Sequence, residues 1–422
     1  MSDVMDYKLQ HQLRGYISKL SIPQKAQLKN VVKCGEGMIR PNSAVAGVYL
    51  LTDNKGDSKF YGQSHCQNPW CCPVCSARRM EVYRSKIASA LDMLSRDYFA
   101  FGMTFTIPHL AFMSCRETTD ILYQTFSRFR THHYKKAWHV FNEFLKEVPC
   151  DHHVRVCEYT WGKNGWHPHF HTIYWTKRGN EGKILEWQSR LNKFWLKLAK
   201  SVTLKYWQEN LLHGETEPHE ELLNRLFVHA DEGDDYGLKI SVKDGKLLEC
   251  KSSNYICGWG SDRELTGNIR KEATAKGHYT PYQILEKAEH DAQFEKLYID
   301  FCLAVTRKPV HHRFDFSQTG ICSLIDEYRK TNETKSERIQ KKTELECVAF
   351  FDEQQWRELC MFNRESPVLS NVLWFASELK YRALLFEYLE FLQFRREDIA
   401  PDRNKITTGQ TTFIARALSM SA

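Results

Sequence analysis

The chain has 422 residues, 42% of them hydrophobic and 13% aromatic, enough for two or three domains with a sizeable core. No apolar run approaches the roughly 20 residues that span a bilayer, and the formal net charge of +7 is compatible with nucleic acid without pointing to it. Met1 to Lys8 is too polar to open a secretory signal, so a cytoplasmic protein is expected, its fourteen cysteines reduced or bound to metal rather than paired in disulfides.

Apolar residues at helical intervals, from Tyr16 and Leu20 to Leu28 and Val31, predict one or two N-terminal helices. Residues 45–51 have strand character, and the run DNKGD at 53–57 closes a hairpin. After it comes CQNPWCCPVC, residues 66–75. Cys72 and Cys75 have the C-P-x-C spacing at which two thiolates reach one ion, and Cys66 with Cys34 would complete a tetrahedral four-thiolate zinc site. His65 and Cys71 are possible substitutes, and a set of buried free thiols is the alternative. Arg78, Arg79, Arg84 and Lys86 follow in a segment of helical character. They suit phosphate contacts, although a solvated helix face has the same pattern.

Residues 99–109, FAFGMTFTIPH, are β-rich and bounded by Pro108. A long helical region follows through Tyr123, Phe126, Phe129, Trp138, Phe141 and Leu145, and then a strand at 154–160. The turn GKNG at 162–165, set between β-formers, predicts a hairpin into WHPHFHTIYW at 166–175. Extended backbone alternates its side chains, so His167, His169 and His171 share one face while Pro168, Phe170 and Thr172 take the other. Imidazoles at i and i+2 on a strand grip one divalent ion. Surface histidines on a polar sheet are the alternative, but the apolar and aromatic setting speaks against it. The hairpin brings Glu158 across as a third ligand, a mixed set that tolerates Mg or Mn, unless Glu158 pairs with Arg155 or Lys177 instead. Farther along, Tyr174, Trp175, Lys177 and Arg178 suit the stacking of bases and the holding of phosphates in single-stranded DNA.

Residues 203–230 look helical, 233–246 are turn-rich with a hairpin, and 329–344 are almost entirely polar, a linker or exposed helix. Beyond them Trp356, Leu359 and Phe362, then residues 374–394, repeat apolar residues at helical spacing.

Four segments together resemble the rolling-circle plasmid replication initiators, within the single-tyrosine HUH endonucleases. They are TFTIPH from Thr104 to His109, the block E-Y-T-x-x-x-N-G-W-H-P-H-F-H from Glu158 to His171, the knuckle at Cys66, Cys72 and Cys75, and N-Y-x-x-x-W-G-x-x-x-E-L-T from Asn254 to Thr266. They run in family order, and the histidine block is the most specific. The resemblance implies an α+β fold: an HUH endonuclease core with a central antiparallel sheet of ferredoxin or RRM-like type flanked by helices. To this it adds an N-terminal zinc knuckle and a helical C-terminal unit. The expected organisation is 1–95 for the N-terminal helices, hairpin and knuckle, 96–320 for the nickase domain, and 321–422 for the charged linker and helical region.

The resemblance further implies that Tyr255, on a helix opened by residues 252–257, is the nucleophile. It would attack single-stranded origin DNA at a Mg or Mn ion held by His169, His171 and Glu158, leaving a 5′-phosphotyrosine and a free 3′-OH for later rejoining. The family usually carries a lysine three residues after the tyrosine, where this chain has Gly258. A phenol of pKa about 10 needs a cation or base to become a nucleophile, and Lys251, one helical turn earlier, is expected to serve. Glu249 is the nearest acidic residue for the water-activating glutamate of some relatives. Partners implied are plasmid origin DNA and the host helicase and polymerase of a bacterial cell, with no membrane. Arg78, Arg79, Lys177 and Arg178 are the expected DNA contacts. The same chemistry serves transposases and mobilisation relaxases, while a zinc-knuckle DNA-binding regulator without cleavage and a small-molecule metallohydrolase are readings from other classes.

Overall fold

The computed structural model describes residues 2–39, 47–53, 56–130, 138–210, 212, 219–232, 236–241, 277–306, 308, 314–315, 321–332, 346–377, 381–394 and 398. From the N-terminus come α1 (Ser2–Ser18), α2 (Ile22–Val32), β1 (Gly47–Thr52), β2 (Ser58–Tyr61) and α3 (Pro73–Leu94). The middle of the chain runs β3 (Tyr98–Thr106), α4 (Cys115–Arg130), α5 (Trp138–Glu147), β4 (Cys150–Gly162), β5 (Gly165–Lys177), α6 (Glu181–Glu186), α7 (Gln188–Asn210), α8 (His219–Glu232) and β6 (Leu238–Ser241). Then follow α9 (Pro281–Lys287), α10 (Ala292–Val305), β7 (Phe314–Asp315), α11 (Ile321–Asn332), β8 (Glu346–Asp352), α12 (Glu353–Glu365), α13 (Val368–Ser377) and α14 (Arg382–Phe391). The fold is α+β with antiparallel sheets, divided into two compact units, Met1–Val82 with Asn332–Ala422, and Tyr83–Thr331.

In the first unit the two ends of the chain share one core. β1 reads GVYLLT and is buried at every position, so it needs a neighbour on each edge. β2 supplies one through the predicted hairpin; β8 supplies the other, pairing Val48 with Phe351 and Leu50 with Ala349. Gly62 has φ +94°, and a Cβ there would lie 2.4 Å from the Gly47 carbonyl oxygen, so the exit from β2 requires glycine. β8 stops where Asp352 caps α12, its carboxylate accepting from the Gln355 N–H at 2.8 Å. Fully buried Trp356 on α12 stacks edge-on against Phe60 of β2 and donates to the Gly35 carbonyl at 3.2 Å. The C-terminal region is therefore not only helical, and residues 1–82 and 332–422 are not separate regions. The seven-residue strand ECVAFFD that joins them follows a polar run and is recognisable only by its partner β1.

The second unit is built on a five-stranded antiparallel sheet in the order β6-β3-β5-β4-β7. β4 and β5 form the expected hairpin, closed by Lys163 and Asn164 with Gly162 opposite Gly165. Gly165 has φ +88°, as the turn demands. One face of the sheet is apolar: Phe105 of β3 and Phe170 of β5, which are paired in register, meet Phe126 of α4 with ring centroids 5.1 and 4.9 Å away. Phe105 also abuts Phe129 and Trp195, so α4 and α7 cover this face. In α4 the buried residues Ile121, Leu122, Thr125, Phe126 and Phe129 recur at helical spacing and form the stripe that packs there. Residues 238–241 are an edge strand on β3. The segment 252–257, with Tyr255, lies outside the described residues, as do most of the polar stretch 329–344 and the second half of the 233–246 hairpin.

Trp356→Ala removes the ring that ties both chain ends together. It is expected to cost about 3–5 kcal/mol in the first unit, read as a lower urea midpoint.

Candidate metal centres

Antiparallel pairing alone brings the hairpin carboxylate to the histidines. Glu158 lies directly across from His169, while Thr104 of β3 lies across from His171 and Thr106 across from His169. All five side chains leave the sheet on the face opposite Phe105 and Phe170. Glu158 Oε2 is 3.4 Å from Nε2 of both His169 and His171, and one ligand atom from each residue lies within 4.8 Å of the others. Burial would raise the Glu158 carboxyl, but the His171 and His169 imidazoles beside it hold it well below the usual carboxylate range. It is a fixed negative charge in a buried setting.

The far nitrogens of the two rings are also held. His169 Nδ1 is 3.1 Å from the His167 carbonyl, which can only accept, so Nδ1 carries a proton and Nε2 is the nitrogen turned toward Glu158. His171 Nδ1 lies 3.1 Å from the Thr104 hydroxyl, which can accept in the same way. Hydrogen bonds of this kind fix the tautomer and orientation of metal-binding histidines. One carboxylate and two imidazoles, with both Nε2 atoms turned inward, fit a divalent ion and leave coordination positions open for another oxygen.

His167 belongs to a neighbouring pair. His109 Nδ1 donates to the Asn164 carbonyl at 2.9 Å, leaving Nε2 to accept from His167 Nδ1 at 2.8 Å. Burial pushes the His109 imidazole down to about 4, so it stays neutral at ordinary pH. The Tyr236 ring packs 5.3 Å from His109 and 5.8 Å from His167, and Thr106 anchors the adjacent Gly237 through its backbone N–H and its hydroxyl.

The second centre lies in the other unit. Cys34, Cys66, Cys72 and Cys75 bring their sulfurs within 4.8 Å of one another, Cys34 and Cys66 lying 3.4 and 3.6 Å from Cys75. A tetrahedral zinc with Zn–S near 2.3 Å would space its sulfurs by about 3.8 Å, so the cluster is close to that geometry. Backbone N–H groups of Cys66, Asn68 and Cys75 point at the sulfurs of Cys34, Cys66 and Cys72 at 3.4–3.5 Å. Hydrogen bonds with Cys66, Cys72 and Cys75 hold the Cys34 thiol well below its ordinary value. Four sulfurs close a coordination shell, which suits a structural ion rather than a catalytic one. Cys71 is buried but stands outside the cluster, its N–H bonded to Asn68 Oδ1 at 3.1 Å.

The other expected site residues are scattered. Arg78 and Arg79 lie beside the cysteine cluster, Arg79 donating to Gln67 at 2.8 Å. Lys177 is exposed at the far end of β5, about 20 Å along the strand from His171. Arg178 spends its guanidinium on the Ser95 and Arg96 carbonyls at 2.6 and 3.2 Å, just beyond the end of α3. Tyr174 and Trp175 are not available for base stacking, being 3% and 1% exposed, because both faces of that end of the sheet are covered. Tyr255, Lys251, Gly258 and Glu249 lie outside the described residues. Thr104 and His109, named above only as the ends of the TFTIPH segment, and Tyr236, not named there, gain roles at the centre through cross-strand and loop contacts.

Comparison with family models, with curated proteins and with solved structures finds no match. Among the described residues no helix is long and apolar enough to cross a membrane.

Calorimetric titration with Mn should show one site that His171→Ala abolishes and Thr104→Val weakens about tenfold or more, with Thr106→Val close to wild type. Metal analysis of the purified chain should find a zinc that survives His171→Ala and is lost in Cys75→Ser.

Proposed function

We propose that the chain is a metal-dependent DNA nickase and strand transferase of the HUH type, acting on single-stranded DNA to start rolling-circle replication. The observation that carries this reading is the convergence of Glu158, His169 and His171 on one face of a hairpin, with ligand atoms within 4.8 Å of one another. A closed structural site would need a fourth protein ligand; among the described residues no other His, Cys, Asp or Glu joins this group. The Tyr255 motif of the sequence supplies the nucleophile that such a centre lacks.

A divalent ion, Mg or Mn, held by these three residues would supply Lewis-acid polarisation of the scissile phosphodiester. Glu158 contributes negative charge that favours the cation, and Thr104 and the His167 carbonyl keep the imidazoles aimed. The Tyr255 phenol oxygen bonds to phosphorus as the bond to the 3′ oxygen breaks. Its proton is lost to a base, the released 3′ oxygen is protonated, and the 5′ phosphate stays on the tyrosine. Lys251 is the residue assigned to stabilise the phenolate. Because the phosphotyrosine keeps the energy of the original ester, attack by a 3′-OH rejoins a strand without a nucleotide cofactor. The cysteine knuckle, in a separate unit, is with its basic helix the surface assigned to origin recognition in this scheme.

Single-stranded oligonucleotides tiling the DNA around the coding sequence, incubated with Mn and run on denaturing gels, test the scheme. The expected result is a released 5′ fragment ending in a 3′-OH and a 3′ fragment whose 5′ phosphate is linked to the protein. The linked fragment should be absent in Tyr255→Phe and reduced by at least a hundredfold in His169→Ala. Equal cutting by the Tyr255→Phe chain would remove the nucleophile from the proposal.

A further inference from the structure

We propose that His65 and Arg78 serve the four-cysteine centre, His65 carrying the charge of the Arg78 guanidinium onto the sulfur of Cys34. A zinc ion bound by four thiolates has a net charge of −2, which is costly among buried residues unless cations or N–H donors compensate it. Three sulfurs are met by backbone N–H groups, as described above. The further contact comes from a side chain: His65 Nδ1 lies 3.7 Å from Cys34 Sγ, within reach of an N–H···S bond. The other ring nitrogen, Nε2, is bonded to Arg78 Nη1.

The chemistry of the partners fixes the direction of the chain. A guanidinium has donors and no acceptor, so Nε2 of His65 must be the bare nitrogen. Nδ1 then carries the ring proton, and that proton faces the sulfur. His65 is thus excluded as a zinc ligand in this arrangement, which agrees with its place outside the four-sulfur group. Arg78 is steadied from its other side by the Phe60 carbonyl at 3.4 Å, so its position is set by β2 as well as by α3. A second cation, buried Arg14 of α1, donates to the Cys34 carbonyl at 2.7 Å. Both cations converge on Cys34, the ligand farthest in sequence from the knuckle, which a bare C-P-x-C pair would hold least firmly. The basic residues after the knuckle therefore divide in role: Arg78 stabilises the metal centre, whereas Arg79 donates to Gln67.

This inference rests on the cysteine cluster holding zinc and is independent of the nicking chemistry. Zinc affinity of the full chain is measured by competition with a chromophoric chelator, alongside the absorption spectrum of the cobalt-substituted protein. His65→Ala and Arg78→Ala are expected to weaken zinc binding by about 10–100-fold, Arg78→Lys by less, and Arg79→Ala not at all. In cobalt-loaded chains the sulfur-to-metal band should shift in His65→Ala and Arg78→Ala while the tetrahedral bands persist, a change that loss of folding would not produce. Unchanged affinity and spectrum in Arg78→Ala would overturn the proposal, as would an equal loss in Arg79→Ala. If wild type holds no zinc, or Cys75→Ser holds as much, the cysteine-site reading itself fails.

Discussion

The pairing register of β4 and β5 sets where Glu158 stands against His169 and His171. Sliding one strand by a single residue would turn His169 and His171 toward α4 and bring Phe170 to the opposite side, exchanging a polar site for an aromatic core. Two features prevent the slip. The two-residue turn at Lys163 and Asn164 allows only one alignment of the arms, and the aromatic packing of Phe105 and Phe170 on Phe126 holds the opposite face. The same burial that stabilises the helix-covered face thus fixes where the ligands stand. His109 adds a tie from outside the hairpin by donating to the carbonyl of turn residue Asn164.

The two centres differ in the chemistry of their donors. Four sulfurs would close a shell around an ion and leave no place for a substrate, while one carboxylate and two imidazoles supply only three ligands. In each case polar groups behind the ligands orient them: Thr104 and the His167 carbonyl for the imidazoles, backbone N–H groups for the sulfurs. The division matches the elements that carry them. Rigid paired strands hold the open centre, and a loop entering a helix holds the closed one.

The parts of the molecule that could be read from the chain were those where short-range geometry carries the chemistry. Alternation along residues 166–175 put three histidines on one face, a two-residue turn placed Glu158 opposite them, and C-P-x-C spacing marked the knuckle. Cys34 was found because a fourth sulfur was needed, not because its neighbourhood announces it. Contacts between distant segments escaped. β8 carries no local mark of its partner, so the helical pattern after Trp356 alone suggested a separate C-terminal unit. The two carbonyl partners of Arg178 at the end of α3 are likewise invisible in the sequence. Tyr174 and Trp175 have the side chains of a base-stacking surface, yet the sheet buries them. Thr104 and Tyr236 acquire their roles only once β3 and the residues before β6 are placed beside the hairpin.

β1 is buried along its whole length, and one of its edges is completed by β8, which the ribosome delivers only after the entire second unit has emerged. Until then the nascent hairpin presents an open apolar edge, the kind of surface that recruits chaperones or pairs with another chain. The second unit has no such debt and can close on its own sheet first. The pairing partner of one of the first strands made is thus one of the last to leave the ribosome.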